Sequence, residues 1–293
     1  MKIKVSLAQR IFDVFNVLFM LIMIVIMLYP VWHVACASFS DSSVLLGHQG
    51  VLILPKGFNI DAYKAVFTNK MIGVGYKNTL TVLIAGVVIN MVMTTVAAYC
   101  LSRKNLLLGK FIMKMITLTM FISGGLIPTY LLITRTLDMN NSLMALILPT
   151  AINTYNFIIM RTSFSQIPEA LIESARLDGA THFQVLLKIV VPTSTSIIAV
   201  MVLYYAVGHW NAWFNASIYL KNRELFPLQL VLREILIQND TSAMTDAMAA
   251  DQYAIGESIK YAIIMVATVP ILCVYPYLQK YFTKGVMIGA VKG

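Results

Sequence analysis

The sequence predicts an all-α, polytopic membrane protein with six transmembrane helices and both termini cytoplasmic. Three observations carry that prediction: an excess of apolar residues, long intervals without charge, and a one-sided distribution of Lys and Arg. Of 293 residues, 59% are hydrophobic and 12% charged, where a soluble domain has roughly half its residues apolar and about a quarter charged. A disordered chain, a coiled coil and an ordinary soluble enzyme are excluded on that ground. The formal charge of +9 in so apolar a chain points to charged cytoplasmic loops rather than to nucleic acid. Cys36, Cys100 and Cys273 are odd in number and lie in or beside apolar stretches, so they read as buried thiols and not as a disulfide framework. No CxxC, HExxH or Cys/His cluster points to a metal.

A helix crossing the hydrocarbon core needs about 20 apolar residues, and an ionised group at its centre costs about 2.5 to 3.5 kcal/mol. Charge-free intervals long enough to cross occur at 14–40, 78–102, 115–134, 139–160, 189–220 and 261–279. Trimmed and extended to helix signals, the spans are 14–37, 78–102, 111–134, 140–161, 192–214 and 260–282 of one permeating domain, 1–293. The first follows Lys2, Lys4 and Arg10 like a signal peptide, but its apolar run exceeds the 7 to 15 residues of a signal core; it reads as a retained helix. The third is interrupted by Gly124-Gly125-Leu126-Ile127-Pro128, where a kink is expected, either for packing or to line a gate or cavity. Outside the spans, 41–77 contains a short helix near Asp61–Phe67. In 215–258 a helix starts at Pro227, followed by an Ala-, Met- and Ser-rich stretch, 239–251, expected to be mobile.

With both ends inside, the cytoplasmic side holds 13 basic and 4 acidic residues, and the outside nine of each. The short loop 103–114 decides the orientation, with Arg103, Lys104, Lys110 and Lys114 and no acid.

The most patterned cytoplasmic segment is the loop 162–191. Pro168 starts a helix on which Leu171, Ile172 and Ala175 share an apolar face, with Glu169 and Glu173 early and Arg176 late, as the helix dipole prefers. Gly179 reads as a left-handed cap. Thr181-His182-Phe183-Gln184 is a capping box opening a second helix, which leads through Ile189-Val190-Val191-Pro192 into the fifth span. A rigid transverse turn of this kind can pass a push from a cytoplasmic partner into the bundle.

Glu173-Ser174-Ala175, three residues, Gly179, nine residues and Ile189-Val190-Val191-Pro192 resemble the EAA loop of ABC importer permeases. The family pattern is E-A-A, three residues, G, nine residues, I-x-L-P, and Ser174 and Val191 are the departures. Asn78-Thr79-Leu80 and Ala98-Tyr99-Cys100-Leu101-Ser102-Arg103 are similar to the maltose-type carbohydrate permeases. The Gly124–Pro128 break, the run His209 to Asn215 and the ending Tyr281 to Gly293 look like the LplC/YtcP-like subgroup for complex oligosaccharides.

The resemblance implies an ABC type I importer permease fold in the cytoplasmic membrane of a bacterium. It implies half of a heterodimeric pore, paired with a second homologous permease subunit. The other implied partners are two copies of a cytoplasmic ABC ATPase, an extracytoplasmic solute-binding lipoprotein, a carbohydrate substrate and membrane lipid. Leu171, Ile172, Glu173, Ser174, Ala175, Asp178, Gly179 and Pro192 would couple to the ATPase, with Glu173 facing a basic residue there. The tail Lys284–Gly293 would reach into the ATPase dimer, although its glycines equally suit a disordered end. ATP and Mg would bind the ATPase and no cofactor this chain, which also has no G-x-x-x-x-G-K-[ST] loop.

Asn90, Asn153, Asn156, Tyr204, Tyr205, Trp210 and Asn211 are polar groups in or near spans, suited either to a sugar pathway or to interhelical hydrogen bonds and an interfacial aromatic belt. In the maltose relative the partner permease carries most sugar contacts. A secondary transporter, the alternative reading, would carry carboxylates inside its spans for ion coupling, and every Asp and Glu here lies outside them. A membrane-bound enzyme would need clustered His, Asp or Cys, and none is present in the sequence.

Overall fold

A long apolar run satisfies its backbone groups within one helical segment, and the sequence supplies two such runs of great length, the first with Pro30 inside it. In the computed structural model, which describes residues 6–48, 50–103, 106–238, 258–274 and 276, these form α1 (Leu7–Ser38) and α2 (Lys70–Ser102). At about 1.5 Å per residue they are about 48 and 50 Å long, more than a bilayer core requires. The described residues are otherwise shorter helices and turns, with an isolated antiparallel bridge between Ser40 and Phe58 and no strand. Among the described residues, α1 and α2 are the single helices long and apolar enough to cross a membrane, with a third crossing if one bent pair is counted together.

Helix breaks account for the difference from six uninterrupted spans. The third predicted span is the helix Gly109–Leu118, an unwound stretch, and Leu126–Leu131. Gly125 there has φ +88°, so the expected kink is a full loss of helix over 119–125. The fourth is divided at Pro149, between Met144–Ile147 and α3 (Thr154–Phe164), whose first turn is capped by the Asn153 side chain. The fifth begins only at Thr195, and the sixth is the 17-residue helix Ser258–Val274 within the described residues. The stretch 239–251 and the tail 284–293 lie outside the described residues.

The chain divides into two compact units, Met1–Asn69 with Glu234–Val269, and Lys70–Arg233 with Pro270–Gly293. In the first, α1 is exposed along nearly its whole length and buried only at Cys36, Ala37 and Ser38. Leu52 packs on Cys36 and Ala37, the Ser42 hydroxyl donates to Ser258 at 3.0 Å, and the short helix Asp61–Thr68 falls where the sequence places it. Of the three thiols only Cys36 is buried; Cys100 and Cys273 are exposed, on helix faces that point away from this chain's own packing.

In the second unit α2 is the axis. α3 and α5 (Thr195–Asn211) pack along it, and between them in the chain lies the shorter α4 (Glu169–Leu177). α2 starts eight residues before the predicted span, and on this added length Gly75, whose Cβ would lie 3.0 Å from the Leu228 backbone, admits the chain at 228. Asn78 Nδ2 donates to the Glu224 carbonyl at 2.7 Å and Thr79 Oγ1 accepts from the Leu228 amide at 2.8 Å. Farther along, Gly86 lies under the His209 ring: a Cβ would meet Nε2 at 2.5 Å. Overpacking of such a contact costs about 1 to 3 kcal/mol. Gly86→Ala should therefore lower the thermal unfolding midpoint of detergent-purified protein, while Gly73→Ala, where nothing lies within 4 Å, should leave it unchanged or raise it slightly through the better helix propensity of alanine. Equal midpoints for the two variants would refute the close α2–α5 contact.

Candidate functional site

The elbow within the loop 162–191 forms because each half carries its own stop or start signal. Pro168, extended at ψ 129°, precedes α4 (Glu169–Leu177). Gly179 ends it at φ +83°: the Gly179 amide donates to Arg176 O at 3.0 Å and the Ala180 amide to Ala175 O at 2.9 Å, the paired bonds of a Schellman cap. Two residues on, Thr181 and Gln184 exchange capping-box bonds of 2.8 and 3.3 Å. The second arm continues as the π-helical turn Leu186–Val190 and ends at Thr193. It does not run straight into the fifth span. His182–Thr193 and Thr195–Asn211 meet at 88°, so Pro192 belongs to the transverse arm, where it is exposed.

The elbow has two faces. Inward, Ile172, Val185, Leu186 and Val190 are buried against Tyr99 of α2, Phe157, Met160 and Phe164 of α3, and Val200 and Met201 of α5, with Ala175 packed at the edge. Fully burying one such aliphatic side chain contributes about 1.5 to 3 kcal/mol. Outward, Glu173, Ser174, Asp178 and Gly179 are exposed, and Glu173 makes no hydrogen bond or ion pair among the described residues. Leu171, assigned by periodicity to the same face as Ile172, is 49% exposed. Leu177 at 89% and Phe183 at 65% are large apolar groups held in solvent on the same outward surface. Sequence reasoning missed both; apolar residues at polar-face positions were the available signal.

Two arginines tie the elbow's base together. Arg161 of α3 donates from Nε to Leu101 O, in the last turn of α2, at 3.0 Å. Arg103, just after α2, donates from Nη2 to Phe164 O, the last carbonyl of α3, at 3.1 Å. Helix-terminal carbonyls lack intrahelical partners and carry the negative end of the dipole, so each bond is charge-assisted, worth about 1.5 to 3 kcal/mol. The Arg103 guanidinium also lies 5.2 Å from the Tyr99 ring centroid and bonds Ser102 Oγ at 2.9 Å. Burial lowers its pKa, while Tyr99 and Glu169 oppose the shift, and an arginine so placed stays cationic at neutral pH.

The polar residues inside the predicted spans mostly join helices. Asn90, fully buried, donates from Nδ2 to Thr150 O at 2.7 Å and to Ala151 O at 3.0 Å, while its Oδ1 pairs with His209 Nε2 at 2.7 Å. Tyr205 OH pairs with Thr94 Oγ1 at 2.7 Å and accepts from the Asn153 amide at 3.1 Å. Asn156 is buried, with its amide capped by Asn153. Trp210 is buried edge-on to Tyr76, its Nε1 without a partner among the described residues. Tyr204 and Asn211 keep exposed surface, Asn211 turning its amide to Val207 O at 3.0 Å. Trp213 carries the Arg233 guanidinium 3.6 Å from its ring centroid. Among the described residues, no group of three His, Cys, Asp or Glu could hold a metal ion.

No family model matches the chain. It is 39% identical over 293 residues to the polygalacturonan/rhamnogalacturonan transport system permease protein YtcP of Bacillus subtilis, covering 97% of this chain and 99% of that one. It is 37% identical over 286 residues to Protein LplC of the same organism, covering 98% and 96%. The crystal structure of a bacterial ABC transporter involved in the import of the acidic polysaccharide alginate contains a chain that superposes with a TM-score of 0.85 at 29% identity, over 94% of this chain and 98% of its own. With an all-helical fold shared over nearly its full length and identities of this order, the protein belongs to the family of ABC-importer permease subunits that includes YtcP and LplC.

Proposed function

We propose that the chain is one of two homologous permease subunits of an importer for oligosaccharides in the bacterial cytoplasmic membrane. In this reading it crosses the membrane six times with both termini inside, and two ATPase copies drive it through the elbow. An extracytoplasmic binding protein delivers the sugar, and ATP and Mg bind only the ATPase. The observation that carries the reading is the elbow's outward surface. Leu171, Glu173, Leu177, Asp178 and Phe183 are exposed on a doubly capped turn whose underside is buried in the bundle. Exposed apolar groups rimmed by charge mark a protein contact, and a turn fixed from beneath transmits force instead of yielding.

Support for the half-pore comes from the unwound stretch 119–125, which is exposed along its length. Bare backbone cannot face lipid, so it belongs against a second subunit or a water-filled path. Tyr204 and Asn211, which keep exposed surface, are the span residues we assign to that path. The substrate class rests on the relatives, one named for polygalacturonan/rhamnogalacturonan transport and one for import of the acidic polysaccharide alginate.

Three outcomes test this reading. Glu173→Lys should reduce co-purification of the ATPase about tenfold or more while membrane insertion is unchanged. Wild-type association and transport in that variant would remove Glu173 from the docking surface. At Gly179 a Cβ has open space but φ is +83°, so Gly179→Val should weaken coupling through backbone strain of about 1 to 2 kcal/mol, with Gly179→Asn milder; the reverse order would contradict the cap's role. In a cysteine-free background, Lys64→Cys should react with a membrane-impermeant thiol reagent added to intact cells, and Leu107→Cys, 86% exposed at the wild-type residue, should not. Opposite labelling would invert the topology.

A further inference from the structure

The elbow is not continuous with the helix that follows it. The 88° bend at Ser194 denies a push on α4 any straight helical path into α5. Its underside is coupled by packing instead: Tyr99 of α2 and Phe157, Met160 and Phe164 of α3, with Val200 and Met201 of α5, bury Ile172, Val185 and Val190. Apolar packing of this kind is non-directional and would let the ends of α2 and α3 slide past one another.

The arginine pair removes that freedom. Arg161 leaves α3 and ends on the last turn of α2 at Leu101 O, 3.0 Å away. Arg103 leaves the end of α2 and ends on the last carbonyl of α3 at Phe164 O, 3.1 Å away. Because the two bonds run in opposite senses between the same two ends, displacement of either end along its axis stretches one of them. Arg103 is itself fixed, through bonds of 3.1 and 2.9 Å to Ser102 Oγ, which in turn donates to Tyr99 O at 2.8 Å. From Phe164 only Ser165, Gln166 and Ile167 separate the clasp from Pro168, where the elbow begins. A cavity of about 220 Å³, lined by Ser102, Arg103, Ser165, Gln166, Pro168 and Glu169 among others, opens where the clasp meets the start of the elbow.

We propose that Arg103 and Arg161 are positioning residues that join the cytoplasmic ends of α2 and α3 into one body beneath the elbow, so that a stroke applied to the elbow moves both helices together. The proposal rests on the reading that the elbow docks an ATPase. The pair acts through the helices it joins. A planar guanidinium is suited to this, since it holds direction as well as charge, whereas a lysine ammonium holds charge alone.

The test uses the whole complex of permeases, ATPase and binding protein in proteoliposomes, comparing parent, Arg103→Met, Arg161→Met, the double variant and Arg161→Lys. Both single Met variants should retain the ATPase and continue to hydrolyse ATP, while substrate moved per ATP falls about three- to tenfold. Arg161→Lys should recover part of the loss. The double variant should be no worse than the worse single one, because either change opens the same clasp. Parental transport per ATP in an assembled single variant, or losses that multiply in the double, would overturn the proposal.

A second measurement needs no arginine variant. In a Cys36→Ser, Cys273→Ser background carrying Thr162→Cys, spin labels at native Cys100 and at position 162, both exposed, should report one distance with and without ATP. A distance that changes between the two states would show that α2 and α3 move apart and defeat the idea directly. Failure of the docking reading appears separately, as a parent chain that retains no ATPase, and that result would take this proposal with it.

Discussion

Inside a bilayer a backbone carbonyl or amide released from its helix has no water to turn to, and leaving it unpaired costs several kcal/mol. That constraint organises the second unit of this protein. Beside the long α2 its helices are short and interrupted, and at the break around Pro149 and at the ends of α2 and α3 a polar side chain from a neighbouring element supplies a partner. Asn90 takes the carbonyls freed around Pro149, Tyr205 accepts the amide of Asn153, and the arginine clasp takes the terminal carbonyls of α2 and α3. Each of these groups both satisfies a break and fixes one helix against another. Broken helices are thereby compatible with a specific bundle.

The elbow extends the same logic to the membrane surface. A Schellman cap and a capping box within a few residues of each other saturate the backbone of its corner. The corner consequently keeps its shape without help from a partner. Its inward residues are held by the ends of α2, α3 and α5, while the outward ones are left uncovered. In a soluble monomer a pair such as Leu177 and Phe183 would be an aggregation hazard. On a permease subunit they fit the proposed docking surface, of which Glu173 is legible as part of a motif.

The departures from the sequence reading share one cause. Periodicity and charge spacing report which stretches can lie in hydrocarbon, but not whether a stretch remains one helix. Gly124, Gly125 and Pro149 announce breaks, yet the length of the unwound segment depends on what neighbouring chains can satisfy. The same blindness applies to the asparagines and tyrosines of the spans, where a group that could bind sugar and one that could bind a carbonyl have identical composition. For Asn90 and Tyr205 the neighbours decide in favour of carbonyls, amides and hydroxyls of this chain. The exposed Cys100 is a further case, since an apolar stretch does not specify which face turns inward.

What the sequence determined by itself is local or additive: helical class from apolar content, the loop that carries the motif from its spacing, and the elbow's corner from Pro168, Gly179, Thr181 and Gln184, whose hydrogen bonds close within a few residues. Tertiary structure alone decided which elbow residues are covered, the right-angled turn at Ser194, and the meeting of Arg103 with Phe164 and of Arg161 with Leu101. Those contacts join residues about 60 positions apart. Their partners are backbone atoms, which every residue possesses, so no side-chain pattern in the sequence can name them in advance.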